Sequence, residues 1–367
     1  MHVTIERGAL ADAVAWAGRA LPARPAQAVL GGLLLSATGD TLAVSAFDYE
    51  TSAAASAAVH VRESGSVLVP GRVLADVVPT LPAHPVELSL TGSVVTLTCG
   101  RSRFTVPTMR VEDYPNLPAM PEASGTVDAD LFAEAVRQVA PAVSKEPQPP
   151  ELTGVHIEAS ADGLILVATD RYRIAYRRLP WSGADGTALV PAKTLLDVAK
   201  GVRGPTVTIG LGDGVIGLSG GTTQTTARLL GGEFPAWRRL FGKPGTEVAE
   251  FDTGEMVDVL KRVGSANSAS KRVWLTFTAL GVTVESHKQE GPSGVEEVDA
   301  DWQSDLSELR VSYSAAWLRE GLLAHGADRT TMYLPTTGRP PALIVPKGQA
   351  SDDEDGFRYL VMPVVGA

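Results

Sequence analysis

The chain repeats itself at about one third of its length, and that period restricts the folds open to it. Three segments have the spacing of amphipathic helices: ERGALADAVAWAGRAL from Glu6, DADLFAEAVRQVAPAV from Asp128 and DTGEMVDVLKRVGSAN from Asp252. Apolar residues recur three and four positions apart in each. Leu10, Val14 and Ala17 share a face of the first, Phe132, Val136 and Val139 of the second, and Met256, Val259 and Val263 of the third. The matching positions Leu10, Phe132 and Met256 are 122 and then 124 residues apart. The last two segments open on Asp, whose carboxylate accepts from the free N–H groups of a first helical turn.

Two further markers keep the same period. LVPGRVLADVV contains Pro70 and LVPAKTLLDVA contains Pro191, 121 residues on. Each reads as a strand end, a proline at a helix start and a short apolar-faced helix. RVSYSAAWLREGL around Trp317 takes this place in the last third, without the proline. The pairs Tyr114-Pro115 and Phe234-Pro235 are 120 residues apart. Units of this length can each hold a core, so a small-repeat solenoid is excluded.

Between the helices lie strand signals such as DTLAVSAFD, PVELSLTG, SVVTLTCG, GLILVATD, PTVTIGLG and ALGVTVES, punctuated by Gly, Pro and Asp. Two short helices and many antiparallel strands per unit predict an α+β fold of three similar domains. The expected domains are residues 1–120, 121–245 and 246–367, with boundaries in PNLPAMPEASGTV and FGKPGTEVAEF. SHKQEGPSGVEEVDADWQSD and ASDDEDG read as exposed acidic loops.

A net charge of -10 argues against a surface that grips nucleic acid by general affinity. A DNA role needs a local basic lining, or a mechanism other than affinity. The single cysteine, Cys99 in VVTLTC, reads as a buried strand residue; it permits no intrachain disulfide and fits a reducing, cytoplasmic setting. MHVTIERGAL has no apolar run of signal-peptide type, and no stretch reaches the roughly 18–20 apolar residues of a membrane helix. Gly212, Gly214 and Gly217 fit GxGxxG, but LSGGTTQTTARLL follows as a hairpin and strand where a pyrophosphate site needs a helix. Ser268 and Lys271 form an isolated SxxK. The six histidines are scattered, and the DAD strings at 128 and 299 read as cap or loop charges. No nucleophile, base and orienter assemble, so no catalytic residue, metal or cofactor is expected.

Four strings carry a family resemblance: the opening ERGALADAVAWAGRALPARP…VLGGLLLSATGDTLAVSAFDYE, then GRSRFTVPTMRVEDYPNL, then LTGVHIEASADGLILVATDRYRIAYRRL with its ATDxxRxA core, and the terminal FRYLVMPV. Together they resemble the β sliding clamps, the β subunits of bacterial DNA polymerase III, along the whole chain. The resemblance implies a head-to-tail homodimer whose six domains form a ring around duplex DNA, with helices lining the hole and sheets outside. A head-to-tail contact that closes after two copies gives a ring instead of a filament. Topological retention needs little affinity, which reconciles the acidic charge with a DNA role.

The resemblance also implies site residues. DNA contacts would come from Arg24, Arg72, Arg137, Lys193 and Lys200. A pocket for short linear motifs would use Leu152, Thr169, Tyr172, Arg173, Ile174, Pro235, Arg239, Leu240, Pro341, Leu360, Val361, Met362 and Pro363. Arg173 and Arg239 are expected to anchor a polar end of the bound peptide. The ring contact would involve Phe104 and Val106 on one side and Gly264 and Ser265 on the other. Implied partners are duplex DNA, a second copy, the polymerase III α subunit, the clamp loader, and other polymerases and repair proteins, with no membrane. The loop SKEPQPPE, the proline-rich TGRPPALIVP and the terminal VVGA depart from the family pattern. They suggest a specialised second clamp whose groove evades a pocket-binding inhibitor. The alternatives are a degenerate clamp-fold scaffold that is not loaded on DNA, and an enzyme on a three-domain β-rich scaffold.

Overall fold

Each third of the chain carries its two expected helices. They are Arg7–Ala17 (α1) and Gly71–Val77 (α2), Ala129–Val139 (α3) and Ala192–Ala199 (α4), and Thr253–Ala266 (α5) and Ala315–Ala324 (α6). The computed structural model describes residues 1–242, 245–266, 272–286, 292–337 and 340–364. Ser268, Lys271, His287 and the last residues of the VVGA tail lie outside them. Asp128 Oδ1 accepts from Asp130 N at 3.0 Å, and Asp252 Oδ1 accepts from Glu255 N at 2.8 Å, as the cap pattern predicts. Where the third segment lacks its proline, Ser314 takes over as cap and accepts from Trp317 N.

Spatially the chain forms two compact units, residues 1–130, 182–184 and 193–229, and residues 131–181, 185–192 and 230–367. The middle third is divided between them. In the first unit, a nine-stranded antiparallel sheet runs in the order Ser182–Gly183, Ala123–Asp128, Thr206–Gly212, Val215–Gly220, Thr223–Arg228, Thr51–Ala58, Thr41–Phe47, Gly32–Thr38, Gly65–Pro70. The first and middle thirds meet where Thr223–Arg228 pairs with Thr51–Ala58. The paired side chains there include Ser52 and Thr226, which share a 2.6 Å hydrogen bond. A five-stranded sheet in the order His60–Glu63, His2–Ile5, Val86–Thr91, Val94–Cys99, Ser102–Pro107 completes this unit. Cys99 is buried in it.

The second unit has its own nine-stranded sheet, in the order Gly186–Pro191, Gly154–Ser160, Gly163–Thr169, Arg173–Leu179, Arg358–Val361, Ala342–Pro346, Arg329–Leu334, Glu247–Asp252, Ala300–Gln303. A four-stranded sheet runs Val295–Val298, Gly281–Ser286, Arg272–Thr278, Glu308–Ser314. The acidic stretch expected as one long loop therefore contains two strands, Val295–Val298 and Ala300–Gln303. Exposed positions alternate with half-buried or buried ones along both, the period-2 pattern of a sheet surface. Asp301, expected as a loop charge, pairs from a strand with Arg329 at 3.3 Å. Gly212, Gly214 and Gly217 lie in the hairpin Thr206–Gly212/Val215–Gly220, and the segment after them turns back as the strand Thr223–Arg228, a hairpin and strand as predicted.

The repeat extends to a turn that the helix markers do not reveal. Tyr49 and Arg171 are the two non-glycine residues with positive φ among the described residues, at 75° and 78°. Each follows an aspartate. Asp48 Oδ1 accepts from Glu50 N and Thr51 N at 3.0 and 2.7 Å, and Asp170 Oδ1 accepts from Tyr172 N and Arg173 N at 3.0 and 3.1 Å. Such side-chain bonds stabilise left-handed backbone where no glycine is present.

His325, just after α6, is buried, and burial pushes its imidazole down to about 4. Its Nδ1 accepts from Ala327 N at 3.1 Å, so the neutral ring carries its proton on Nε2 and donates to Thr330 Oγ1 at 3.0 Å. Protonation would abolish the Nδ1 acceptor. A depressed folded value means that stability is full above the unfolded value near 6.5 and is lost as pH falls towards 4, at up to about 1.4 kcal/mol per pH unit. Urea unfolding between pH 7 and 4 should show this slope in the wild type and not in His325→Gln; equal slopes would assign it to another group.

Candidate functional site

The second unit carries an apolar face built by strand alternation. Arg173–Leu179 pairs with Arg358–Val361 in the register Ile174 to Leu360 and Tyr176 to Arg358. Paired residues project from the same side of a sheet. Ile174, Tyr176 and Leu360 therefore join Ile165, Val167, Leu343, Val345 and Trp237 in one buried cluster, with Phe234, Phe241 and Tyr333 half-buried against it. Two hollows open beside the cluster. One, of about 260 Å³, is lined by Arg239, Leu240, Phe241, Pro341, Leu343, Arg358 and Leu360, among others. The other, of about 420 Å³, is lined by His156, Glu158, Phe234, Pro235, Trp237, Arg238 and Arg239, among others. Arg239 borders both and is exposed.

The 169–173 turn bounds the face. Thr169 Oγ1 donates to Arg173 O at 2.6 Å and accepts from Arg171 N at 3.0 Å. Tyr172, 56 % exposed, stacks on Trp317 of α6 with ring centroids 5.0 Å apart, and its carbonyl accepts from Met362 N at 2.8 Å. Ile174, Pro235, Arg239, Leu240, Pro341 and Leu360 are thus brought to the face or its hollows, and Thr169, Tyr172 and Met362 to its bounding turn. Val361 and Pro363 are buried, Val361 on the opposite side of the sheet from Leu360. Leu152 is buried in the single turn Pro150–Leu152 and lines neither hollow.

Arg173 departs from its expected role as a peptide anchor. Its side chain is only 2 % exposed and is committed inside the protein. Nε donates to Asp170 Oδ2 at 2.9 Å, and Nη1 donates to Glu320 Oε2 and to the Tyr359 hydroxyl at 3.4 Å. Lys145 bonds Glu320 Oε1 at 2.8 Å. Burial alone would raise the Glu320 carboxyl, but the bonds from Lys145 and Arg173 outweigh it and hold the group below its ordinary value. The sequence reading also missed Tyr176, Trp237, Phe241, Leu343, Val345 and Trp317. Strand periodicity reaches Tyr176, two positions after Ile174; the others converge only in the fold.

In the first unit, Arg24, Arg72, Lys193 and Lys200 are all exposed. Arg72 donates to Ala23 O at 2.5 Å and so fixes the loop bearing Arg24. Lys193 bonds Asp197 Oδ2 at 2.8 Å and Arg19 O at 3.4 Å, and Arg19 in turn donates to Asp197 O. Lys200 borders a cavity of about 530 Å³ together with Arg19, Arg203 and Trp16 of the same unit. Arg19 and Arg203 were not anticipated. Arg137 is exposed on α3, in the second unit.

Ser102–Pro107 is the edge strand of its sheet, and Phe104 on it is 39 % exposed. Val106 is 3 % exposed, so its side chain belongs to the core of its own unit and not to a free contact surface. Gly264 faces inward: a Cβ there would lie 2.8 Å from Ala315 Cβ, so its small size serves the packing of α5 on α6. Ser265 is exposed and donates to Lys261 O. Among the described residues no group of three or more His, Cys, Asp or Glu could hold a metal ion.

The family models that match are the N-terminal domain of the DNA polymerase III beta subunit, over residues 1–118, and its central domain, over residues 126–236. The chain is 40 % identical to the beta sliding clamp of Streptomyces coelicolor over 99 % of both chains. It is 35 % identical to the beta sliding clamp homolog GriR of Streptomyces muensis, again over 99 % of both. Among solved structures it is similar to the DNA polymerase III beta subunit of Thermotoga maritima, with TM-score 0.90, 24 % identity and 100 % of both chains covered. The Pseudomonas aeruginosa sliding clamp bound to griselimycin matches with TM-score 0.91 at 22 % identity, over 100 % of this chain and 99 % of that one.

Removing Arg173 leaves Asp170 and Glu320 without their shared buried partner. Arg173→Ala should lower stability by about 3–5 kcal/mol in urea unfolding at pH 7. The loss should shrink as pH falls below the ordinary carboxylate range, because the depressed Glu320 carboxyl contributes stability that is full above its unfolded value and is lost as pH falls through its lower folded value. A pH-independent loss would point to packing alone.

Proposed function

The chain belongs to the DNA polymerase III beta subunit family, the sliding clamps, and on that premise we propose that two copies close head to tail as a ring around duplex DNA. It is a non-catalytic processivity subunit of the polymerase III holoenzyme. The observation that carries this reading is the 40 % identity, over 99 % of both chains, to a beta sliding clamp. In this reading residues 1–120, 121–245 and 246–367 are the three clamp domains. The ring does no chemistry; it raises the effective concentration of a tethered polymerase at the primer end.

Arg24, Arg72, Arg137, Lys193 and Lys200 contact phosphates without reading sequence, as a sliding protein requires. The apolar face beside the 169–173 turn takes short linear motifs of the polymerase III α subunit, the clamp loader, and other polymerases and repair proteins. Its supports are the aliphatic and aromatic lining and the exposed Arg239 at the rim. The ring contact uses the open edge strand bearing Phe104, since an unpaired edge is a ready surface for another chain. The compartment is the cytoplasm, where the duplex it travels on is found.

Retention on nicked circular DNA after loading, compared with the same DNA linearised, tests the reading. Retention on circles with rapid loss from linear ends is expected. Equal retention on both would replace encirclement with affinity, and retention on neither would favour the degenerate scaffold.

The Lys193–Asp197 pair bears on sliding. Asp197 neutralises a cation that would otherwise grip phosphate. Asp197→Asn should steepen the salt dependence of DNA binding by about 0.9 in log K against log salt, one extra phosphate contact. An unchanged slope, measured by titration at several salt concentrations, would remove Lys193 from the DNA contacts.

A further inference from the structure

One arginine of the first third is built into the end of a helix of the middle third. α4 spans eight residues, Ala192–Ala199, too few to hold its place by its own hydrogen bonds. Past its C-terminal end Lys200 N donates to Leu196 O at 3.2 Å, and Gly201 N and Val202 N donate to Val198 O at 3.0 and 2.8 Å. The carbonyl between these two acceptors, that of Asp197, takes its donor from a side chain, Arg19 Nη1. A cation at the last carbonyls of a helix also meets the negative end of its dipole. The guanidinium has a prepared slot. It lies over the Trp16 ring, 5.0 Å from the centroid, and Trp16 Nε1 is itself fixed by donating to Gln224 O at 3.0 Å. Gly201 forms the opposite wall, where any Cβ would overlap the guanidinium. Gly201 has no left-handed backbone to support, so its lack of a side chain serves to leave this room.

Arg19 also holds the other end of α4. Its carbonyl accepts from Lys193 Nζ at 3.4 Å, in the first turn, and the same amine bonds Asp197 Oδ2 at 2.8 Å. One residue therefore touches both turns of the helix, with its carbonyl at the start and its guanidinium at the end. Lys193 and Lys200 stand at those two ends, both exposed, and Lys200 lines the cavity of about 530 Å³ together with Arg19. We propose that Arg19 is a positioning residue for the DNA contacts of α4: it sets where the two lysines meet phosphate without meeting phosphate itself. The inference rests on the clamp reading of those lysines as phosphate contacts and adds what orients them. A lysine is a point charge on a flexible stem, so the reach of each amine depends on the place of the backbone that bears it. The Arg19 guanidinium, in contrast, is engaged by Asp197 O and Trp16 inside its own unit.

The test follows the binding of the full-length protein to a short, fluorescein-labelled linear duplex by anisotropy at several salt concentrations. Replacing both lysines, Lys193→Gln with Lys200→Gln, should flatten log K against log salt by about 1.8, two phosphate contacts. Arg19→Met, which keeps the stem on Trp16, should flatten it by at least about 0.9. Arg19→Lys, which can still donate to Asp197 O, should recover part of that loss. Gly201→Ala keeps every charge but closes the slot, and should flatten the slope as Arg19→Met does. Arg19→Met added to the double lysine variant should change its slope no further. Circular dichroism checks that each variant is folded; should Arg19→Met not fold, the Arg19→Lys and Gly201→Ala arms decide. A wild-type or steeper slope in Gly201→Ala, or a further fall when Arg19→Met is added to the lysine variant, would make Arg19 a phosphate contact of its own and overturn the positioning role. Wild-type slopes in both Arg19→Met and Gly201→Ala, with the lysine variant flattened, would overturn it as well and leave the lysine contacts standing. A wild-type slope in the lysine variant would overturn those contacts and the positioning role together.

Discussion

The short strand Arg358–Val361 holds the second unit together, and a buried guanidinium holds the strand. It lies between Arg173–Leu179 from the middle third and Ala342–Pro346 from the last, so it completes one sheet from two repeats. Four residues of pairing are little on their own. Tyr359, fully buried on this strand, donates to Trp317 O at 2.9 Å and meets the Arg173 guanidinium. Gly321 of α6 permits the approach, since a Cβ there would lie 2.4 Å from the Tyr359 ring. The Asp170–Arg173–Glu320 cluster then ties turn, strand and helix at one point. Such a cluster contributes little net stability over an apolar equivalent but tolerates no missing member. What it specifies is the placement of the apolar face on the other side of the same strands.

Two arginines on neighbouring strands are thus treated in opposite ways. Arg173 has two carboxylates and a tyrosine hydroxyl, and its charge is stabilised where it is buried. Arg358 has an aromatic ring, one distant carbonyl and an unmet Nε. The first arrangement is a structural fastening. The second leaves a buried donor unpaired beside a hollow.

The basic surface of the first unit follows a related economy. Lys193 is drawn to Asp197, Arg72 to a loop carbonyl, and Arg203 to Asp12 at 2.9 Å. Exposed pairs of this kind are weak and exchange readily with other partners. Each of these cations is thus partly neutralised within the protein, in keeping with its net charge of -10.

The period near 122 residues was legible because helix amphipathicity, aspartate caps and prolines are local, and each repeat had to restate them. Family membership was legible for the same reason, in ATDRYRIA and YLVMP. Asp170 and Tyr172 could be read as members of a motif, but not the left-handed backbone that follows Asp170 at Arg171, as it follows Asp48 at Tyr49. The division of the middle third between two sheets was decided by pairings of high sequence separation, Thr223–Arg228 with Thr51–Ala58 and Arg173–Leu179 with Arg358–Val361. No local rule encodes such partners. The roles of Arg173 and Arg358 were decided the same way: one residue's shift along a strand changes the face it occupies, and only the register shows which arginine finds carboxylates and which finds leucines.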